Sequence, residues 1–315
     1  MYKKYYGLTR NPFELSPDPY FYFPSPRHNE ALATLTYGVL NRKGFVVVTG
    51  EVGTGKTLLV RCLLDTLNRN RVAFAFIYNP LLSVHDFLAQ VLRDFGLTNV
   101  EGSKSDLLAR LNNFVLVRSW RDATTALIVD EAQLLSWELL EEIRLLTNLE
   151  TTQHKLMQIV LVGQPELDDK LDSQDLRQLK QRVGMRCRLD PLGVDELRGY
   201  IDRRLELAGA SFPSSALFPE ETIVAVHVYS RGIPRLVNTL CENALIAGYG
   251  RQLRQITSDI IHEVAADLRL GVIARPSQKD SAEKKRRSAA VKALSSMIED
   301  LGDSSSTSKS DWDQK

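Results

Sequence analysis

The stretch Gly50-Glu51-Val52-Gly53-Thr54-Gly55-Lys56-Thr57 decides the fold. It fills the pattern G-x-x-x-x-G-K-[ST], between an apolar, largely β-branched run (Gly44–Thr49) and the helical spacing of Leu58–Leu64. Strand, glycine loop and helix in that order make a phosphate cradle. Consecutive backbone N–H groups converge where no side chain intrudes, and the helix N-terminus adds the positive end of its dipole. All eight residues are therefore expected to hold nucleotide phosphates. Gly50, Gly53 and Gly55 keep the path open and allow positive φ. Lys56 reaches the β- and γ-phosphates, and the Thr57 hydroxyl ligates Mg²⁺.

Outward from this loop, strands and helices alternate. Val72–Tyr78, Thr125–Val129, Gln158–Val162 and Met185–Leu189 read as four further strands. His28–Asn41, Ser83–Phe95, Asp106–Trp120, Ser136–Leu149 and Gln174–Gly184 read as helices. This pattern predicts an α/β fold, a five-stranded parallel sheet sandwiched by helices, over residues 27–190. From Pro191 the periodicity is helical alone, at Val194–Leu207, Pro219–Ser230, Pro234–Gly248 and Thr257–Leu268, so residues 191–270 read as an all-helical lid. Residues 1–26 form an arm rich in aromatics and prolines, without regular structure but with too many rings to stay in water. It is expected to wrap the next domain, either touching the nucleotide base or only covering the core. Residues 271–315 are polar and expected to be mostly disordered. Val291, Leu294, Met297, Ile298 and Leu301 leave a docking helix as the alternative there.

Forty basic residues against 39 acidic ones give a net charge of +1, so no global field points to nucleic acid or a membrane surface. Cys62, Cys187 and Cys241 are odd in number and widely spaced, which suits reduced thiols. The five histidines show no metal-ligand spacing. No apolar run reaches the ~20 residues of a membrane span, and the polar, aromatic N-terminus is no signal peptide. A soluble, cytoplasmic protein is expected.

Leu127-Ile128-Val129-Asp130-Glu131 carries the second chemical signal. A carboxylate ending a buried strand beside the phosphate loop can hold Mg²⁺, which assigns the metal to Thr57 and Asp130. Glu131 can then orient and deprotonate the attacking water. Gln164, where the fourth strand ends, can bond the γ-phosphate or that water, with a plain turn residue before Pro165 as the other reading. Asn79, at the end of the second strand, can pair with Glu131 and hold it inactive. Arg177, Arg182 and Arg186 lie on a basic stretch that can reach a neighbouring subunit's nucleotide, Arg182 being preferred and a solvated basic face the alternative. Arg235 begins a helix at Pro234 and can reach the γ-phosphate from the lid.

These residues carry a resemblance. Tyr6-Gly7-Leu8, Asn11-Pro12-Phe13, Ser16-Pro17-Asp18-Pro19, Arg27-His28-Asn29-Glu30-Ala31-Leu32, Gly50–Thr57, Asp130-Glu131-Ala132-Gln133, Gly163-Gln164-Pro165-Glu166-Leu167 and Gly232-Ile233-Pro234-Arg235 resemble the ExeA-type AAA+ ATPases. That group takes in general secretion pathway protein A, MshM-like pilus proteins and the ATPases of exosortase loci. The resemblance runs over about residues 1–270 and extends more distantly to transposition regulators of the TnsC and TniB kind. It implies an AAA+ module that hydrolyses ATP with Mg²⁺ at subunit interfaces of a homo-oligomer, often a ring. By motif, Lys56 and Thr57 are the Walker A residues, and Asp130 and Glu131 the Walker B pair. Gln164 takes the first sensor position, Arg182 (less surely Arg177) the finger, and Arg235 the second sensor. ExeA itself continues into a transmembrane helix and a peptidoglycan-binding region. Neither stretch occurs in these 315 residues, so a role at the inner membrane is expected to run through a partner. The expected function is assembly or remodelling of an envelope export system, for type II secretion, pili or exopolysaccharide. The alternatives are an ATP-dependent DNA-binding transposition regulator and a nucleotide-gated scaffold with little turnover.

Overall fold

The computed structural model describes residues 1–271 except Asn99, Gln153 and Phe212. The expected tail at 272–315 and its docking-helix alternative lie outside the described residues.

In chain order the elements are α1 (Tyr2–Tyr5), α2 (Pro26–Leu40), β1 (Phe45–Gly50), α3 (Lys56–Arg69), β2 (Ala73–Ile77), α4 (Val84–Asp94), α5 (Lys104–Trp120), β3 (Thr125–Val129), α6 (Trp137–Leu146), β4 (Gln158–Gly163), α7 (Pro165–Leu171), α8 (Arg177–Lys180) and β5 (Met185–Leu189). The chain then continues as helices: α9 (Val194–Leu207), α10 (Ser214–Leu217), α11 (Glu220–Ser230), α12 (Pro234–Gly250) and α13 (Ser258–Asp267). The five strands form one parallel sheet in the order β2-β3-β4-β1-β5.

The three central strands are buried along their whole length because both faces are covered. Side chains alternate between two cores, as a period of two requires. Phe45, Val47, Leu127, Val129, Ile159 and Leu161 point to the α4–α6 side. Val46, Val48, Ala126, Ile128, Val160 and Val162 point to α2 and α3. Each of these Val, Leu, Ile and Phe side chains contributes about 1.5–3 kcal/mol by leaving water. Serine caps set the helix starts: the hydroxyls of Ser25, Ser83, Ser103 and Ser136 each accept a backbone N–H of the first turn.

Four sequence expectations need correction. The helix expected at Ser136–Leu149 ends at Leu146, and Glu150 pairs instead with Lys155 in an antiparallel bridge. Of Gln174–Gly184 only Arg177–Lys180 is helical, since Leu176 and Leu179 anchor one turn before the chain enters β5. No helix is expected from the sequence directly after the fourth strand, yet α7 begins at Pro165, whose missing N–H costs nothing in a first turn. The arm is not wholly irregular, for it contains α1 and a 3₁₀ turn at Pro19–Phe21 capped by Asp18.

The arm fastens chiefly to helices far along the chain. Tyr2 Oη donates to the Glu242 carboxylate at 2.9 Å, Thr9 Oγ1 to the Ala208 carbonyl at 2.9 Å, and Tyr6 Oη to the Leu253 carbonyl at 3.0 Å. Phe13 is fully buried edge-on against Phe218. Among the described residues no helix is long and apolar enough to cross a membrane.

Candidate nucleotide site

The site lies at the carboxyl ends of β3, β4 and β1, which are neighbours in the sheet. Register puts Val129 beside Leu161 and Thr49 beside Gly163, so Asp130, Glu131 and Gln164 emerge next to the loop that follows β1. Lys56 opens α3 and is buried. Its Nζ donates to the carbonyls of Gly50 at 2.7 Å and Glu51 at 2.9 Å. Burial holds this ammonium below the ordinary lysine range, against the pull of Glu131, Asp130, Glu51 and Glu166. Asp130 shows the opposite strain. Burial holds its carboxyl above the ordinary carboxylate range, although Oδ1 accepts the Glu131 N–H and Oδ2 the Thr57 hydroxyl at 3.1 Å. A polyphosphate beside Lys56 and a divalent cation between Thr57 and Asp130 would each supply the missing opposite charge. The residues therefore fit a Mg²⁺–nucleotide. Among the described residues no three His, Cys, Asp or Glu side chains gather round one point. A hard cation held by one carboxylate, one hydroxyl and phosphate oxygens needs no such cluster.

The glycines act in two ways. Gly53 and Gly55 have φ of 84° and 100°, as positive-φ loop positions require. Gly50 does not. It is a glycine because a Cβ there would stand 2.9 Å from the Leu189 carbonyl and from Thr54 Oγ1.

Glu131 also has a left-handed backbone, φ 51°. Its Oε2 accepts from Gln133 Nε2 at 2.6 Å and from Gln164 Nε2 at 3.3 Å. Asn79 is not brought to it: this side chain is exposed and caps its own turn through Leu81 N. Arg235 does reach the cleft, and its backbone N–H donates to the Gly53 carbonyl at 3.2 Å, seating the start of α12 on the phosphate loop. Arg177, Arg182 and Arg186 lie outside this chain's own cleft, and Arg186 pairs with Asp168 and Asp172.

Away from the phosphate loop the cleft is lined by Leu15, Pro17, Tyr22 and Phe23 of the arm together with Leu192 and Tyr200. The arm thus lines the cleft as well as covering the core. Three of the residues that hold this wall carried no sequence signal for the task. Arg204 is buried with its guanidinium over the rings of Phe21 and Tyr200, and its Nη1 donates to the Pro12 carbonyl at 2.7 Å. Tyr200 Oη donates to Asn238 Oδ1 at 2.8 Å. His28 ties the arm's end to the loop. Its Nε2–H donates to the Thr54 carbonyl at 2.8 Å, and Nδ1 is hydrogen-bonded to the Ser25 hydroxyl at 2.8 Å. Burial lowers its pKa, and the Thr54 bond offsets only part of that.

Residues 40–171 match the family described as an AAA domain. The fold is that of an AAA+ module. Over 257 residues it is 42% identical to General secretion pathway protein A of Aeromonas hydrophila, an overlap covering 81% of this chain and 46% of that protein. The resemblance to the ExeA-type group is thus borne out, and the chain spans about half the length of that relative. Among solved structures the AAA+ fold is shared with the ORC2 protein of Aeropyrum pernix in its ADPNP-ADP complexes. That match has a TM-score of 0.61 at 16% identity, over 82% of this chain and 71% of that one. Cdc6p of Pyrobaculum aerophilum also has a TM-score of 0.61, at 18% identity over 81% and 70%. At these identities the likeness concerns the fold.

Proposed function

We propose that this AAA+ protein hydrolyses ATP with Mg²⁺ in a homo-oligomer, and that the cycle drives assembly or remodelling of an envelope export system. One observation carries the hydrolysis reading. The ends of three adjacent strands bring a buried lysine, a hydroxyl–carboxylate pair and an amide-held glutamate to one cleft. Lys56 and the loop N–H groups bind the phosphates. Thr57 and Asp130 hold Mg²⁺, which neutralises charge on the β- and γ-oxygens when bound. Glu131 orients the water and takes its proton, Gln164 bonds the γ-phosphate, and Arg235 approaches from the helical part, residues 191–270, acting as a lid. The position of Arg182 outside its own chain's cleft supports a finger that serves a neighbouring subunit. The export role rests on the likeness to General secretion pathway protein A, and any place at the inner membrane would run through a partner.

Steady-state phosphate release tests this. Glu131→Gln is expected to bind ATP while losing on the order of 10²–10⁴-fold in turnover, and near wild-type turnover would remove Glu131 from its role. Mixing Arg182→Ala with Lys56→Ala chains is expected to restore part of the activity that each lacks alone. Failure at every ratio would remove Arg182 as the finger.

A further inference from the structure

We infer that Gln133 is the positioning residue for Glu131, an inference that rests on the hydrolysis reading above. Gln133 lies in the 3₁₀ turn Ala132–Leu134 that follows Glu131 and is buried. Its side-chain amide has one possible orientation. The Gln164 backbone N–H can only donate, so it fixes Gln133 Oε1 toward itself at 3.0 Å. Nε2 must then point at Glu131, where it donates to Oε2 at 2.6 Å.

The turn is braced from behind as well. Lys170 Nζ donates to the carbonyls of Gln133 at 2.5 Å and Leu135 at 3.0 Å. Close packing completes the seat, since a Cβ on Gly163 would come within 3.0 Å of Gln133 Oε1. Gln133 therefore joins the turn after β3 to the end of β4 and passes that geometry to the carboxylate.

The two amides on Glu131 Oε2 differ in what they can do. The Gln164 contact is the longer, 3.3 Å, and in the hydrolysis reading this amide also serves the terminal phosphate. Gln133 has no such second task, because its oxygen is committed to backbone. It holds Oε2 throughout, which leaves Oε1 to face the water. A carboxylate on a left-handed residue, displaced by about 1 Å, would forfeit much of its catalytic effect.

Gln133→Met removes both bonds at similar volume, and Gln133→Glu keeps the oxygen for Gln164 N while losing the donor. Phosphate release and calorimetry of ATP binding at millimolar Mg²⁺ are read for both. Each variant is expected to lose kcat on the order of 10²-fold, with KM and the ATP Kd within about twofold of wild type. In a Glu131→Gln background, adding Gln133→Met is expected to leave the residual single-turnover rate unchanged, because the residue acts through Glu131. Wild-type kcat in Gln133→Met, a parallel loss of ATP affinity, or a multiplicative loss in the double variant would each overturn the inference. A wild-type chain without turnover would overturn the hydrolysis reading and this inference with it. An active wild type beside an active Gln133→Met overturns this inference alone.

Discussion

At the phosphate end of the cleft, the groups come mainly from one eight-residue loop and the ends of three neighbouring strands. At the other end, arm residues between Leu15 and Phe23 meet Leu192 and Tyr200, and the Arg204–Pro12 bond that holds them together spans 192 positions of sequence. The first end is assembled by the sheet and the loop that follows β1. The second exists only after the chain has folded back on itself. Chemistry and architecture are thus separable: substitutions at the loop should remove binding while sparing stability, and substitutions under the arm should do the reverse.

Lys56→Ala attacks the loop end most directly. ATP affinity by calorimetry is expected to fall on the order of 10²-fold or more, since the buried charge facing the phosphates is lost. The melting temperature without nucleotide should stay within a degree or two, or rise, because a desolvated cation has been removed. A large fall in stability would erase the contrast. Arg204→Met attacks the arm end. It leaves the Pro12 carbonyl without its partner and removes two cation–π contacts, so unfolding by denaturant should show a loss of about 1–3 kcal/mol. ATP affinity should change less than in Lys56→Ala, and an unchanged midpoint would show that the arm is not held there.

His28 sits on the border between the two ends and should give the smallest effect. Its folded pKa is depressed by burial, below an unfolded value of about 6.5. Its stabilising contribution is therefore present above about pH 6.5 and is lost as pH falls through the folded pKa. Denaturant titrations from pH 8 to 5 should show stability declining on the acid side. In His28→Gln that part of the slope should disappear, with about 1 kcal/mol lost at pH 8 from the weakened hold on Thr54.

The same division governs what could be read from the chain. Gly50–Thr57, the strand at Thr125–Val129 and the acids after it are local signals, and β5 falls where its spacing put it. Parallel order then brought Gln164 beside Glu131 without further information. Gln133 was in view in Asp130-Glu131-Ala132-Gln133, but its task depends on which way an amide turns, which no spacing reveals. Arg204, Tyr200 and Asn238 read as ordinary helix residues, because the carbonyls and rings they meet come from elsewhere in the chain. The stretch from Gln174 to Gly184 misled in the opposite sense: its basic, helix-like periodicity spans a single real turn, and α7 starts at a proline that reads as a stop.

The Arg235–Gly53 bond has a mechanical consequence. The helix that begins there is the one whose Glu242 accepts from Tyr2 Oη, so a single helix couples the loop after β1 to the first residues of the polypeptide. Arg61 Nη1 also donates to the Pro17 carbonyl, so the arm is fastened to α3 beside the loop as well as to α12.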